Sequence, residues 1–262
     1  MHIGSLTTIF HTQSFQEATQ QIHRIGLQSV EIGTGGYFPK NHCDPNHLLS
    51  DKKALAKFQD ILAKFELGIS AFAIHGEPLH PDPAISEAYD RDFRDTCKLA
   101  AEIGVTRMTL LAGLPEAAPG DMVPNWIIYP YPAPYMDLFE WQWEKRLIPY
   151  WKEHGRIAED HGIRLCFEMH PADMVFKPEG LLRLRDEVGP VIGCNLDPSH
   201  LFWQGIDVLA VIRMLGDTIY HVHAKDSRLD ETNVRVNGIL DAKTFQDHLH
   251  RSWMFRTVGY GH

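Results

Sequence analysis

The stretch 163–197, IRLCFEMHPADMVFKPEGLLRLRDEVGPVIGCNLD, contains two short strand-like runs separated by one helical run. Residues 163–168 and 191–197 alternate with the two-residue period of a strand. Residues 178–188 are helical in pattern, and Gly189 stands where a helix C-cap belongs. Two strands joined through a helix make the crossover of a parallel sheet.

The same unit recurs in both directions along the chain. Further strands are predicted at 3–8, 29–32, 69–75, 107–111 and 218–223, with helices at 15–25, 52–65, 85–103, 140–161 and 206–215. Gly26, Gly68, Gly104, Gly162 and Gly216 repeat the punctuation of Gly189. Seven βα units in series, with no linker between them, predict an α/β barrel occupying 1–262 as one domain. The length of 262 residues suits that fold. One connection is long. Residues 112–137 are Pro-rich, carry Trp126, Tyr129, Tyr131 and Tyr135, and follow a strand. In a barrel they would lie over the catalytic face, as a subunit contact, as loop packing or as a substrate lid to which Trp126 contributes a substrate contact.

Alternation also sorts the polar residues. In the fifth strand Arg164, Cys166, Glu168 and His170 share a face, opposite Ile163, Leu165, Phe167 and Met169. The sixth sets Gly193, Asn195 and Asp197 against Ile192, Cys194 and Leu196, and the seventh sets Ile219, His221 and His223 against Thr218, Tyr220 and Val222. Three neighbouring strands thus bring Glu, Asp and His to their C-terminal ends, where barrels place their chemistry. Buried groups of this kind need a partner or a metal. The mixed oxygen and nitrogen set fits one divalent cation, Mn²⁺, Co²⁺, Zn²⁺ or Mg²⁺, without choosing among them.

Composition narrows the classes. The net charge of -9 and pI near 5.9 argue against a nucleic-acid partner, which calls for a basic footprint. Cys43, Cys97, Cys166 and Cys194 form no CxxC pair, and no basic-then-apolar leader opens the chain. The apolar runs are too short for a bilayer. A soluble cytoplasmic protein without membrane contact is expected.

FEMHP at 167–171, NLDPSHLFWQGID at 195–207 and HVHAKD at 221–226 resemble the xylose isomerase-like TIM barrel superfamily, and within it the sugar phosphate isomerase/epimerase family. HGEPLHP at 75–81 and RTVGYGH at 256–262 extend the resemblance along the chain. It implies Glu168, Asp197 and His223 as metal ligands, and His200 as a substrate contact. Arg228, the basic residue chosen beyond the HxH pair, and His75 at the end of the third strand are implied on the substrate side.

The implied chemistry is isomerisation or epimerisation of a ketose or sugar phosphate. A proton is taken from a carbon next to C=O, with a metal-stabilised enediolate and Glu168 as a catalytic base. No glycine-rich phosphate cradle is present to support a phosphorylated substrate. The family's second Glu lies on an eighth strand, which the sequence does not supply, since 253–258 is strand-like but lacks a carboxylate. The expectation is therefore a (β/α)8 TIM barrel truncated before strand eight, with open sheet edges that invite instability or a homo-oligomer. Alternatives are an inosose-dehydratase-like or hydroxypyruvate-isomerase-like enzyme, an inactive barrel acting as a binding module, and, against the charge, a metal-dependent apurinic endonuclease.

Overall fold

The computed structural model describes residues 2–261, so Met1 and His262, the last residue of RTVGYGH, lie outside the described residues. Seven strands form one parallel sheet in chain order: β1 (Gly4–Leu6), β2 (Ser29–Gly33), β3 (Gly68–Ala73), β4 (Arg107–Leu110), β5 (Arg164–Glu168), β6 (Ile192–Leu196) and β7 (Ile219–Val222). The helices are α1 (Phe15–Arg24), α2 (Pro45–Ser50), α3 (Lys52–Lys64), α4 (Pro83–Ile103), α5 (Pro134–Trp141), α6 (Ile148–Asp160), α7 (Pro178–Val188), α8 (Ser199–Phe202) and α9 (Val208–Leu215). The sheet is curled. His221 on β7 lies 2.9 Å from Glu31 on β2, which is possible only if the two strands face each other across the interior. This is the TIM-barrel fold, with seven parallel strands among the described residues.

Local chemistry starts the helices where the strand-following loops end. Asp51, Asp82 and Asp207 accept backbone N–H bonds at the starts of α3, α4 and α9, and Ser14 with Glu17 forms a capping box at α1. Between sheet and helices, Trp151 of α6 is fully buried, packs edge-on against Phe167 of β5 at 4.7 Å, and donates its indole N–H to the Ala112 carbonyl. Each fully buried large apolar side chain of this kind stabilises the fold by about 1.5–3 kcal/mol.

Two expectations need revision. Gly68 does not cap a helix. It begins β3, while Glu66, at φ 53°, takes the left-handed position after α3. The helix expected at 140–161 starts earlier, at Pro134, and carries a π-helical turn at Gln142–Leu147. Pro149, which has no N–H to return to the preceding turn, sits just beyond that turn. The strand at 253–258 is not a barrel strand. Within it, β9 (Trp253–Arg256) pairs antiparallel with β8 (Asp226–Leu229), and α10 (Glu231–Asn237) lies between them in the chain. No eighth parallel strand occurs among the described residues.

The long connection leans over the loop that follows β5. Met174 donates its N–H to Gly113, Gly113 donates to the Asp173 carboxyl, and Trp126 meets Phe176 edge-on at 5.3 Å. Gln142, wholly buried in the π turn, donates its side-chain amide to the carbonyls of Pro115, Glu116 and Asn125.

Candidate functional site

Parallel register sets the side chains of the interior. Glu168 ends β5 opposite Asn195 of β6, and Asn195 is opposite His221 of β7. Asn195 donates to Glu168 Oε2 at 3.0 Å. His75, two residues beyond β3, brings Nε2 within 3.1 Å of the same oxygen, and His223 brings Nδ1 within 2.9 Å. On the other oxygen, His200 Nε2 of α8 stands 3.1 Å from Glu168 Oε1. That nitrogen is also 3.4 Å from Asp197 Oδ2 and 3.1 Å from Lys225 Nζ. Asp197 is fixed by Ser199, whose backbone N–H and hydroxyl both donate to Oδ1.

The predicted residues fall into three places. Glu168, His223 and His75 come together as one group of close ligand atoms. Asp197 is beside them but reaches Glu168 through His200 rather than directly. Arg228 and Trp126 lie elsewhere. In the β8–β9 pair, Phe255 faces His200 at 5.3 Å, and Arg228, opposite Met254, belongs to the other face. There it lines a cavity of about 630 Å³ with Arg251, Met254 and Arg256. Trp126 borders a cavity of about 200 Å³ with Tyr129, Tyr135 and Leu138, and none of the cluster residues lines it.

Several members of the cluster carry no role in the sequence reading. Glu31 of β2 is buried and accepts from Thr109 Oγ1 at 2.6 Å, with His221 and His223 at 2.9 and 2.8 Å from its Oε2. The signal was present, since Glu31 stands between Val30 and Ile32 and so faces inward by the same alternation that exposed Glu168. Lys225 is nearer to the HxH pair than Arg228 and is the basic residue that enters the site. Its Nζ is 3.3 Å from Asp197 and 3.9 Å from the centre of the Phe255 ring.

The electrostatics are those of acids surrounded by imidazoles. Burial alone would raise the Glu168 carboxyl, but hydrogen bonds from His200, His223 and His75 outweigh it and hold Glu168 well below the usual carboxylate range. Burial likewise opposes ionisation of Glu31, and the charge and hydrogen bonds of His223 and His221 win. The reciprocal effect is on His223. Burial resists its charge, yet Glu31 and Glu168 push it up to about 11. His170 goes the other way, to about 4, because it is buried beside the His200 charge.

A divalent cation fits this set. Glu168 and Glu31 have no lysine or arginine partner among the described residues, so imidazolium or a bound cation must balance their charge. Asn195 Oδ1, His75 Nδ1 and His200 Nδ1 are buried in the same region without a partner. Carboxylate and imidazole donors in this mixture suit the borderline and harder divalent ions.

A family model for the xylose isomerase-like TIM barrel matches residues 19–255. The chain is 38% identical to YfiH of Bacillus subtilis (strain 168), an uncharacterized protein, over 100% of this chain and 84% of YfiH. It is 24% identical to an inosose dehydratase of Mesomycoplasma hyopneumoniae (strain J), over 84% of this chain but only 65% of that enzyme's length. Among solved structures, a xylose isomerase-like TIM barrel protein of Mycobacterium smegmatis in complex with magnesium superposes with a TM-score of 0.65 at 14% identity, covering 99% of this chain and 82% of that one. No helix among the described residues is long and apolar enough to cross a membrane.

Proposed function

The chain belongs to the xylose isomerase-like TIM barrel family, and from that premise we propose that it is a metal-dependent enzyme moving a proton at a carbon next to a carbonyl, on a ketose or cyclitol substrate. The whole of 1–262 acts as one domain. Glu168, Asp197 and His223 would hold the cation, with His200 and His75 beside them. The observation that carries the reading is the buried Glu168, whose four side-chain partners are three imidazoles and an amide.

A bound divalent cation supplies Lewis acidity to a carbonyl oxygen and an adjacent hydroxyl. The protein's own groups do the rest. Glu168 is held ionised and so is able to accept a proton from carbon. Lys225 and His200, joined at 3.1 Å, hold a proton on the Oε1 side of Glu168. Phe255 covers that pair with an apolar face and limits water there.

This pairing of one carboxylate base with one nitrogen acid favours a second reading beside isomerase or epimerase, namely dehydration of a cyclitol ketone. Glu168 would take the proton next to the carbonyl, and the neighbouring hydroxyl would leave as water with the proton of the His200–Lys225 pair. The inosose dehydratase likeness agrees with it.

The test is proton NMR in D₂O with a panel of ketoses and inososes, each with Mn²⁺, Co²⁺, Zn²⁺ or Mg²⁺. Deuterium should enter next to the carbonyl, and neither the chelated protein nor Glu168→Gln should catalyse it. Loss of the neighbouring hydroxyl identifies a dehydratase, and a new sugar signal an isomerase or epimerase. A protein that holds its cation but exchanges no proton on any of them would sink the reading.

A further inference from the structure

His223 stands between two buried carboxylates. Its Nδ1 is 2.9 Å from Glu168 Oε2 and its Nε2 is 2.8 Å from Glu31 Oε2. A ring that binds a cation is neutral and carries one N–H, so it can then donate to only one of them. The nitrogen facing the other must present a lone pair, which a carboxylate oxygen repels and a cation accepts.

Glu31 is prepared for the first role and not for the second. Both of its oxygens are committed to donors, with Thr109 Oγ1 on Oε1 at 2.6 Å and His221 Nε2 beside His223 on Oε2 at 2.9 Å. Those donors come from β4 and β7, and Glu31 itself comes from β2, so three strands fix the carboxylate in place. Glu168 also has partners on both oxygens, but three of the four are imidazoles, and Asp197 stands beside it through His200.

We propose that Glu31 is a positioning residue. Its carboxylate takes the Nε2–H of His223, fixes that ring's tautomer, and leaves Nδ1 as the metal-binding nitrogen on the Glu168 side. His221 and Thr109 serve Glu31 rather than the cation. The inference rests on the metal-dependent reading above and adds to it which nitrogen binds and what sets it. Carboxylates in this outer position strengthen the ring as a ligand, and their loss lowers metal affinity by about 10–100-fold. The same residues could instead hold a second cation, because Glu31, His221 and His223 also form a compact group. The shared His223 argues against it, since two cations would need both ring nitrogens deprotonated.

The experiment compares wild type, Glu31→Gln and Thr109→Val, loaded with Co²⁺. Stoichiometry, affinity and the visible d–d spectrum are read together, with circular dichroism of each protein as the check on folding. The expected result is one Co²⁺ per chain in all three. Affinity should fall about 10–100-fold in Glu31→Gln and less in Thr109→Val, and the d–d bands should shift in Glu31→Gln. A purely structural role would leave the bands of the folded variant where they were. Unchanged affinity and spectrum in a folded Glu31→Gln overturn the positioning role alone. So does a fall from two Co²⁺ to one, which would make Glu31 a ligand. If wild type takes up no Co²⁺, the proposed function falls, and this inference with it. If Glu31→Gln does not fold, Thr109→Val decides, and wild-type affinity and spectrum in that variant overturn the role.

Discussion

Asn195→Asp tests the charge balance of the cluster with almost no change in shape. Asn195 is fully buried and its amide nitrogen is 3.0 Å from Glu168 Oε2, so the substitution exchanges a donor for a second acid. Two unit charges at that distance repel by about 5 kcal/mol at an effective dielectric of about 20. Protonation sets a ceiling on this cost. An aspartate titrating at about 3.9 in the unfolded chain costs about 4 kcal/mol to keep protonated near pH 7, and about 1.5 kcal/mol near pH 5. The folded-state pKa is raised above the unfolded one, so the deficit is small near pH 4 and grows as pH rises. For a chain of this size about 4 kcal/mol lowers Tm by about 8–16 °C. Calorimetry of the metal-free variant and wild type at both pH values measures it. A saturating divalent cation should narrow the gap, because the added charge then attracts it. The reasoning is refuted if the loss in Tm is the same at both pH values, or if the cation widens it.

Asp197→Asn should cost the protein its metal. Elemental analysis is expected to find about one divalent ion per wild-type chain and well under one in the variant, and full retention would remove Asp197 from the ligand set. All four cysteines are buried, and burial pushes the Cys97 and Cys166 thiols up to about 12. Ellman's reagent should therefore label none within minutes in the native state and all of them after denaturation, and a rapid native thiol would show that a strand or helix opens. If the loop closes over the substrate as a lid, Trp126→Ala should raise KM severalfold for the substrate once found, although its cavity is not lined by the cluster, and leave metal content unchanged. Wild-type kinetics would place the loop outside recognition.

The strands were legible because each signals itself locally, through a two-residue alternation ended by a loop or a glycine. That logic failed at Gly68, where the left-handed residue is Glu66 and the glycine already belongs to β3. At 253–258 it found a strand but not its partner, β8, which lies outside the barrel. Alternation says that a strand exists and not what it pairs with. The site was half legible for the same reason. Facing inward identified Glu168 and His223, while Glu31 was passed over because its neighbours across the interior are more than 180 residues away in the chain. Arg228 was read as the nearest basic residue beyond the HxH pair, which passes over Lys225; the 3.1 Å approach of Lys225 Nζ to His200, with Arg228 on the other face of β8, tells the two apart.

The single amide of Gln142, clasping three carbonyls of the long connection, divides that connection into parts with different freedom. The base, from Ala112 to Asn125, is fastened to the helix at Trp151 and Gln142, and moves only if the helix does. The tip, with exposed Tyr129 and Tyr131, has no such fastening among the described hydrogen bonds. An engineer could treat the tip as an interchangeable cassette, exchanging its aromatic residues for others while the clasp keeps the ends in register with the barrel.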